Sequence, residues 1–293
     1  MTKVRDSTSI IDMADRCDRA LRYMLEQNGF DDKLRELARV IASALYTADF
    51  YQIDDGIVKA TDDVFKVQFA DKATDNMTLD ADTRLPSPVC AFWAPGSRLQ
   101  FERREEGHFL GAEDGIPFMY LAIETAEATV VYLVSPYFAP MVQGSYAPLV
   151  EGGIYGPEDG SEGDRATRAM HTLTVAAMCS LLNQPSFTKR EPAGSRQERR
   201  AANRSGGYAT DAWHKITWNI GEEVKAKLTR DEPVRCMPLH YTRGHWRRAE
   251  EGWKNTTQRK DGLWYQWIEG FWSGHPAFGI KKSYHAPKMG DAA

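Results

Sequence analysis

The chain has 293 residues, 42% of them hydrophobic and 27% charged, with a mean hydropathy of -0.52, a composition that fits a water-soluble globular protein and excludes disorder throughout. The longest apolar runs, Ala128 to Val134 and Val175 to Leu182, fall far short of the roughly 20 residues that cross a bilayer, so no spanning helix is expected. The net charge of -4 conceals a split: residues 1 to 186 hold 17 Lys+Arg against 29 Asp+Glu, whereas residues 187 to 293 hold 20 against 12. The second stretch also carries seven of the eight tryptophans and five of the seven histidines. Two regions with different partners are expected, an acidic one over residues 1–163 and a basic, tryptophan-rich one over residues 164–293, free to share one core.

In chain order, Ile10, Ile11, Ala14, Cys17, Ala20, Leu21 and Met24 recur at helical intervals, and Asn28-Gly29 provides a stop. Leu34, Leu37, Ala38, Ile41 and Leu45 predict a second helix from Asp32 to Leu45. From Asp49 to Arg84 the periodicity loosens, leaving irregular structure with one strand near Phe65 to Phe69. Val89–Trp93, Arg98–Arg103, Pro117–Ile123 and Thr129–Val134 read as strands of an antiparallel meander, turning at Ala94-Pro95-Gly96 and Glu113-Asp114-Gly115. Residues 139–163, rich in glycine and proline, read as a long surface loop. Asp164 then caps a helix with an almost wholly apolar face. Lys189 to Arg204 reads as a solvated basic segment. Trp213–Asn219, Arg235–Arg248 and Gly262–Trp272 are the last strands, with the last two forming a hairpin across the polar connection 249–261. The expected fold class is therefore α+β: an N-terminal helical pair, a central antiparallel meander, a long apolar helix and a C-terminal antiparallel β-hairpin region.

Alternation along Tyr241 to Arg247 puts Arg243, His245 and Arg247 on one strand face. With Tyr265 and Trp267 contributed across the hairpin, this surface would join guanidinium groups, which grip phosphate in a bidentate fashion, to rings that stack on unpaired bases. Arg248 and the basic segment around Arg199 and Arg200 add further phosphate contacts. The competing reading makes the aromatic residues core and the arginines an ordinary solvated face.

The run His240-Tyr-Thr-Arg243-Gly244-His245-Trp246-Arg247, followed by Trp267-Ile-Glu-Gly-Phe-Trp272-Ser-Gly274, resembles a C-terminal signature of uncharacterised phage and prophage proteins, an HxxRGHxR strand paired with a WIxPxxRG strand. Gly270 stands where that pattern has proline, and Ser273 where it has a basic residue. The resemblance implies a phage origin and no particular activity.

Cys236, His240 and His245 have ligand-like spacing, but strand alternation turns His245 away from the other two, so no metal is assigned. The four cysteines form no CxxC pair and are expected to be reduced. No phosphate loop, nucleophile elbow or HExxH motif is present, and no cofactor is implied. The acidic clusters at Asp54-Asp55, Asp62-Asp63 and Asp80 with Asp82 are assigned no site. The leading expectation is a cytoplasmic, non-enzymatic protein that binds nucleic acid, preferentially single-stranded. The alternatives are a protein-binding factor directed at a host defence or phage component, and a metal-independent ribonuclease in which His245 is the base and Tyr265 or Tyr284 the acid. No membrane partner is expected.

Overall fold

The computed structural model describes residues 9–27, 29–61, 83–99, 115–146, 154–155, 162–204, 212–232, 236–242, 245–250, 252–253, 256–259, 261–268 and 271–281. Helix α1 spans Ile10–Glu26 and α2 spans Asp32–Thr47. The Ser9 hydroxyl accepts the Asp12 N–H at 3.2 Å, and the Asp31 carboxylate accepts the Leu34 N–H at 2.7 Å, so each helix has a side-chain N-cap that satisfies one of its orphan donors. Their inner stripes, including Met13, Cys17 and Leu21 on α1 and Ala38, Ile41 and Leu45 on α2, are buried against one face of a sheet.

That sheet has eight strands in the order β8-β7-β6-β5-β2-β1-β10-β9. The strands are β1 (Asp49–Ile53), β2 (Val89–Trp93), β5 (Met119–Glu124), β6 (Thr129–Val134), β7 (Met141–Tyr146), β8 (Ile154–Tyr155), β9 (Thr188–Pro192) and β10 (Trp213–Trp218). β1 runs parallel to both its neighbours, β2 and β10, while the remaining pairings are antiparallel. The expected α+β class is thereby overturned: the molecule is mixed α/β. A short helix, α3 at residues 55–61, follows β1. Parallel partners require long crossovers, and the partners of β1 begin 36 and 160 residues beyond Ile53. No local turn pattern could announce either pairing.

Three further expectations change with this sheet. Residues 139–163 supply β7 and β8 rather than only loop. Arg98–Leu99 (β3) lies outside the meander and pairs with Ile116–Pro117 (β4) in a separate ladder. The basic segment contains β9 and then α5 (Arg196–Arg204). The strand expected near Phe65 to Phe69 lies outside the described residues. The sheet thus draws strands from both sides of residue 163.

Helix α4 (Glu162–Leu182) covers the opposite sheet face over β6, β7 and β8. The expected long apolar helix is corrected here. Asp164, Arg165, Ala166 and Thr167 are exposed, and the buried stretch Thr172 to Leu181 includes three hydroxyl residues. Two of these are satisfied by the helix itself: Thr172 Oγ1 donates to the Arg168 carbonyl at 3.0 Å and Thr174 Oγ1 to that of Met170 at 2.9 Å. No helix among the described residues is long and apolar enough to cross a membrane.

Beyond α6 (Glu222–Asp231), β11 (Pro238–Thr242) pairs antiparallel with β15 (Phe271–Ser273) and parallel with β16 (His275–Ile280). β12 (His245–Arg248) pairs antiparallel with β14 (Trp264–Ile268), which also pairs with β13 (Thr256–Gln258). The β11–β15 and β12–β14 pairings obey the same register, with His240 opposite Ser273 and His245 opposite Ile268. Two polar contacts anchor this region beside α4: Trp272 Nε1 donates to Ser180 Oγ at 3.1 Å, and the buried His275 donates from Nε2 to the Ser186 carbonyl at 2.6 Å.

Candidate nucleic-acid interface

Strands β12, β14 and β13 make a small sheet that contributes no residue to either core cluster. All four residues of β12 are exposed, and all five of β14 are half-buried, so solvent reaches the ladder. Residues directly opposed in an antiparallel pair share a face. Trp246 opposes Trp267 and Arg248 opposes Tyr265, which collects these four on one side. His245 opposes Ile268 and Arg247 opposes Gln266, which collects those on the other.

This register corrects the expected composite surface. Tyr265 and Trp267 do not join His245 and Arg247; the sheet lies between them. The Tyr265 hydroxyl donates to Asp261 Oδ2 at 2.9 Å, which raises the pKa of the phenol because ionisation would set two anions against each other. The expected acid-base pair of His245 and Tyr265 is therefore not assembled, and Tyr284, the other expected donor, lies outside the described residues. Arg243 also lies outside them.

Each face has its own chemistry. On the aromatic face Trp246 and Trp267 meet edge to face, with centroids 5.2 Å apart. The Arg259 guanidinium, from the turn after β13, sits 4.5 Å from the Trp246 ring centre and 5.1 Å from that of Tyr265. Trp246 remains 39% exposed, enough for a ring to be reached from solvent. On the polar face Arg247 donates from Nη2 to Gln266 Oε1 at 2.8 Å, and its guanidinium lies 5.5 Å from the Trp253 ring centre. A guanidinium lying over a ring satisfies its π-facing side while its N–H groups radiate in its own plane, so stacking aims an arginine without consuming its donors. Sequence reasoning missed Arg259 and Trp253. Both lie in the polar connection 249–261, and only the turn geometry folds them back over the strands.

Arg199 and Arg200 sit on α5, whose start is a capping box: Ser195 N–H donates to Glu198 Oε2 at 2.6 Å and Glu198 N–H to Ser195 Oγ at 3.2 Å. Arg200 is exposed and, with Arg196, Gln197 and Ala201, lines a shallow depression of about 480 Å³. Arg199 is half-buried. The segment entering α5 is held on the α1 side of the sheet, since Ala193 joins the α1–α2 core and a side chain added at Gly194 would meet Ile11. The β11–β15–β16 region is anchored instead beside α4. The two basic groups that were expected to cooperate therefore start from different layers.

A second cluster was missed entirely. Tyr51 opposes His214 across β1 and β10, and Arg190 on β9 reaches over both. These residues are too far apart in sequence for any spacing motif to join them. No group of three His, Cys, Asp or Glu side chains suited to a metal ion occurs among the described residues. Compared with protein-family models, curated proteins and solved structures, the chain matches none of them.

Proposed function

We propose that this chain is a non-enzymatic nucleic-acid-binding protein of the phage type whose C-terminal signature it resembles, and that it grips single-stranded nucleic acid through the aromatic face of the β12–β14–β13 sheet. The observation that carries the reading is Arg259 lying over Trp246 and Tyr265 beside the Trp246–Trp267 pair. In the unbound protein the guanidinium occupies the ring face that a base would take. A base stacking on Trp246 displaces it toward the adjoining phosphate, so one motion satisfies both partners. Arg248 lies on the same face, while Arg247 borders the ladder from the other side. Within the same proposal the protein acts in the cytoplasm, and in the host cytoplasm if phage-encoded.

The test is a fluorescence-anisotropy series with single-stranded and duplex RNA and DNA at rising salt. Two phosphate contacts on that face, from Arg248 and Arg259, correspond to a slope of about -1.4 in log K against log salt for a single strand. Trp246→Ala is expected to weaken single-strand binding about tenfold, since a base-aromatic stack contributes about 1–3 kcal/mol. Absence of binding to every probe at low salt overturns the proposal.

A protein partner is the second reading, supported by two large exposed side chains near the ladder: Trp253 at 45% and Phe271 at 47%. Capture of one defined partner that survives nuclease treatment and is lost in Phe271→Ser would replace the first reading with this one.

A further inference from the structure

A row of side chains crosses the α4 face of the main sheet at one level: Leu133, Tyr120, Phe92, Tyr51 and His214 oppose one another in turn from β6 to β10. At its β6 end the row lies under α4, where Tyr120 and His171 share a hydrogen bond. At its other end it reaches the edge strand β9, whose Arg190 is exposed. There the Arg190 guanidinium lies 5.2 Å from the Tyr51 ring centre, and its Nη2 donates to His214 Nε2 at 2.5 Å. The His214 ring is itself 5.4 Å from Tyr51, which stacks on Phe92.

Two features of this corner call for an anion. An imidazole and a guanidinium, both able to carry positive charge, converge at hydrogen-bond distance, and among the described residues no carboxylate forms an ion pair with Arg190. Glu191 does not serve, because it alternates to the opposite face and pairs with Lys189 at 2.6 Å. The donor bond to Nε2 occupies one of five guanidinium N–H groups, which leaves a fork available. Tyr51 holds the guanidinium plane from below, and its hydroxyl is buried without a hydrogen-bond partner among the described residues. The edge is unsuited to adding a strand, since β9 is short, charged and ends in Pro192, so the side chains rather than the backbone face solvent with work to do.

We infer that Arg190 and His214, backed by Tyr51, form an oxyanion site that takes a phosphate dianion from solution at the edge of the main sheet. Phosphate suits it better than a carboxylate. Its extra charge meets both cation-capable groups, and its three terminal oxygens can accept the Arg190 fork and an imidazole N–H together. In the free protein His214 is neutral with Nε2 accepting; burial and the neighbouring Arg190 hold its pKa down, while Asp49 on β1 opposes them. Among the described residues, Arg190 from β9 and Asp49 and Tyr51 from β1 are the charged and titratable groups facing it. A bound dianion favours the protonated ring, so affinity counted per dianion tightens as pH falls, while phosphate itself takes up a proton below neutral pH and leaves less dianion to bind. The site is independent of the β12–β14–β13 ladder.

The experiment is an NMR titration of the full chain, following imidazole ¹H–¹³C signals with sodium phosphate against sodium chloride at matched ionic strength, the His214 signal being assigned from His214→Asn. The expected result is a saturable shift of that signal with phosphate alone, several-fold tighter at pH 6 than at pH 7.5 when the dose is expressed as dianion concentration. Arg190→Gln is expected to weaken it at least tenfold, and because Arg190 is exposed the variant should keep the wild-type melting temperature. Thymidine 5′-monophosphate and an oligonucleotide lacking terminal phosphates separate the sources: equal binding of the nucleotide assigns a phosphate monoester, and its exclusion assigns the free ion. If neither phosphate nor the nucleotide moves the His214 signal beyond chloride, the inference is wrong. It is equally overturned if Arg190→Gln folds and binds within twofold of wild type, or if the oligonucleotide competes as well as phosphate.

Discussion

Gly274 shows how one residue near the C-terminus serves the fold. Its φ is +78°, and a Cβ added there would collide with the carbonyl oxygens of Met237 and Pro238, where β11 passes the start of β16. Gly252 has a similar φ of +88° but open space around it. Gly252→Ala should therefore cost only the left-handed strain of about 1–2 kcal/mol, and Gly274→Ala clearly more, as read from urea midpoints of the two variants. Equal losses would mean that the Pro238 contact is not limiting. His171 provides a second residue-scale test. Its pKa is lowered from 6.5 to about 4 by burial against Tyr120 and Phe118. Because the folded value lies below the unfolded one, protonation favours the unfolded chain. The contribution of His171 is complete above pH 6.5 and declines as pH falls toward 4, by up to about 1.4 kcal/mol per unit. Denaturant midpoints measured across that window should slope in the wild type and flatten in His171→Asn.

At the scale of the element, α5 illustrates a helix held by its start. Its sequence is strongly polar and carries Arg196, Arg199, Arg200 and Arg204, so little apolar burial supports it, and the Ser195–Glu198 capping box takes on that role. Ser195→Ala is expected to remove about 0.5–2 kcal/mol from this helix. Hydrogen exchange should then show lost protection confined to residues 196–204, with the main sheet unchanged; uniform loss across the sheet would show that α5 is coupled to the core. The helices α1 and α2 were legible because the apolar stripe of each lies within a single stretch of chain. The β12–β14 ladder was only partly legible. Strand alternation located its residues, but which side Tyr265 and Trp267 take depends on register. The pairing of Trp246 with Trp267 keeps Arg248 beside the aromatic groups and turns His245 and Arg247 to the other face.

For the whole molecule, the central position of β1 has a consequence for folding. Phe50 is buried against α1 and α2, packing edge to face on Trp213 at 6.0 Å, while Tyr51 turns to the α4 side. Both faces of one strand therefore depend on partners far along the chain. A fragment of residues 1–163 would lose nearly all of α4, β9 and β10, which uncovers one sheet face and opens the edge of β1. Neither 1–163 nor 164–293 is expected to give a dispersed NMR spectrum alone, whereas mixing or co-expressing them should restore it. A well-folded isolated 1–163 would contradict this. What the sequence determined by itself was what near neighbours control: the amphipathic stripes of α1 and α2, the positions of β2, β5 and β6, the charge asymmetry, and the concentration of arginine and tryptophan near the C-terminus. What only the tertiary structure decided was every relation between distant residues. Parallel pairing placed β1 between β2 and β10, register separated His245 from Tyr265, and sheet order brought Arg190, His214 and Tyr51 to one corner. The physical reason is that periodicity records which side of an element is apolar, whereas the partner covering that side is selected by burial and hydrogen bonding summed over the whole chain.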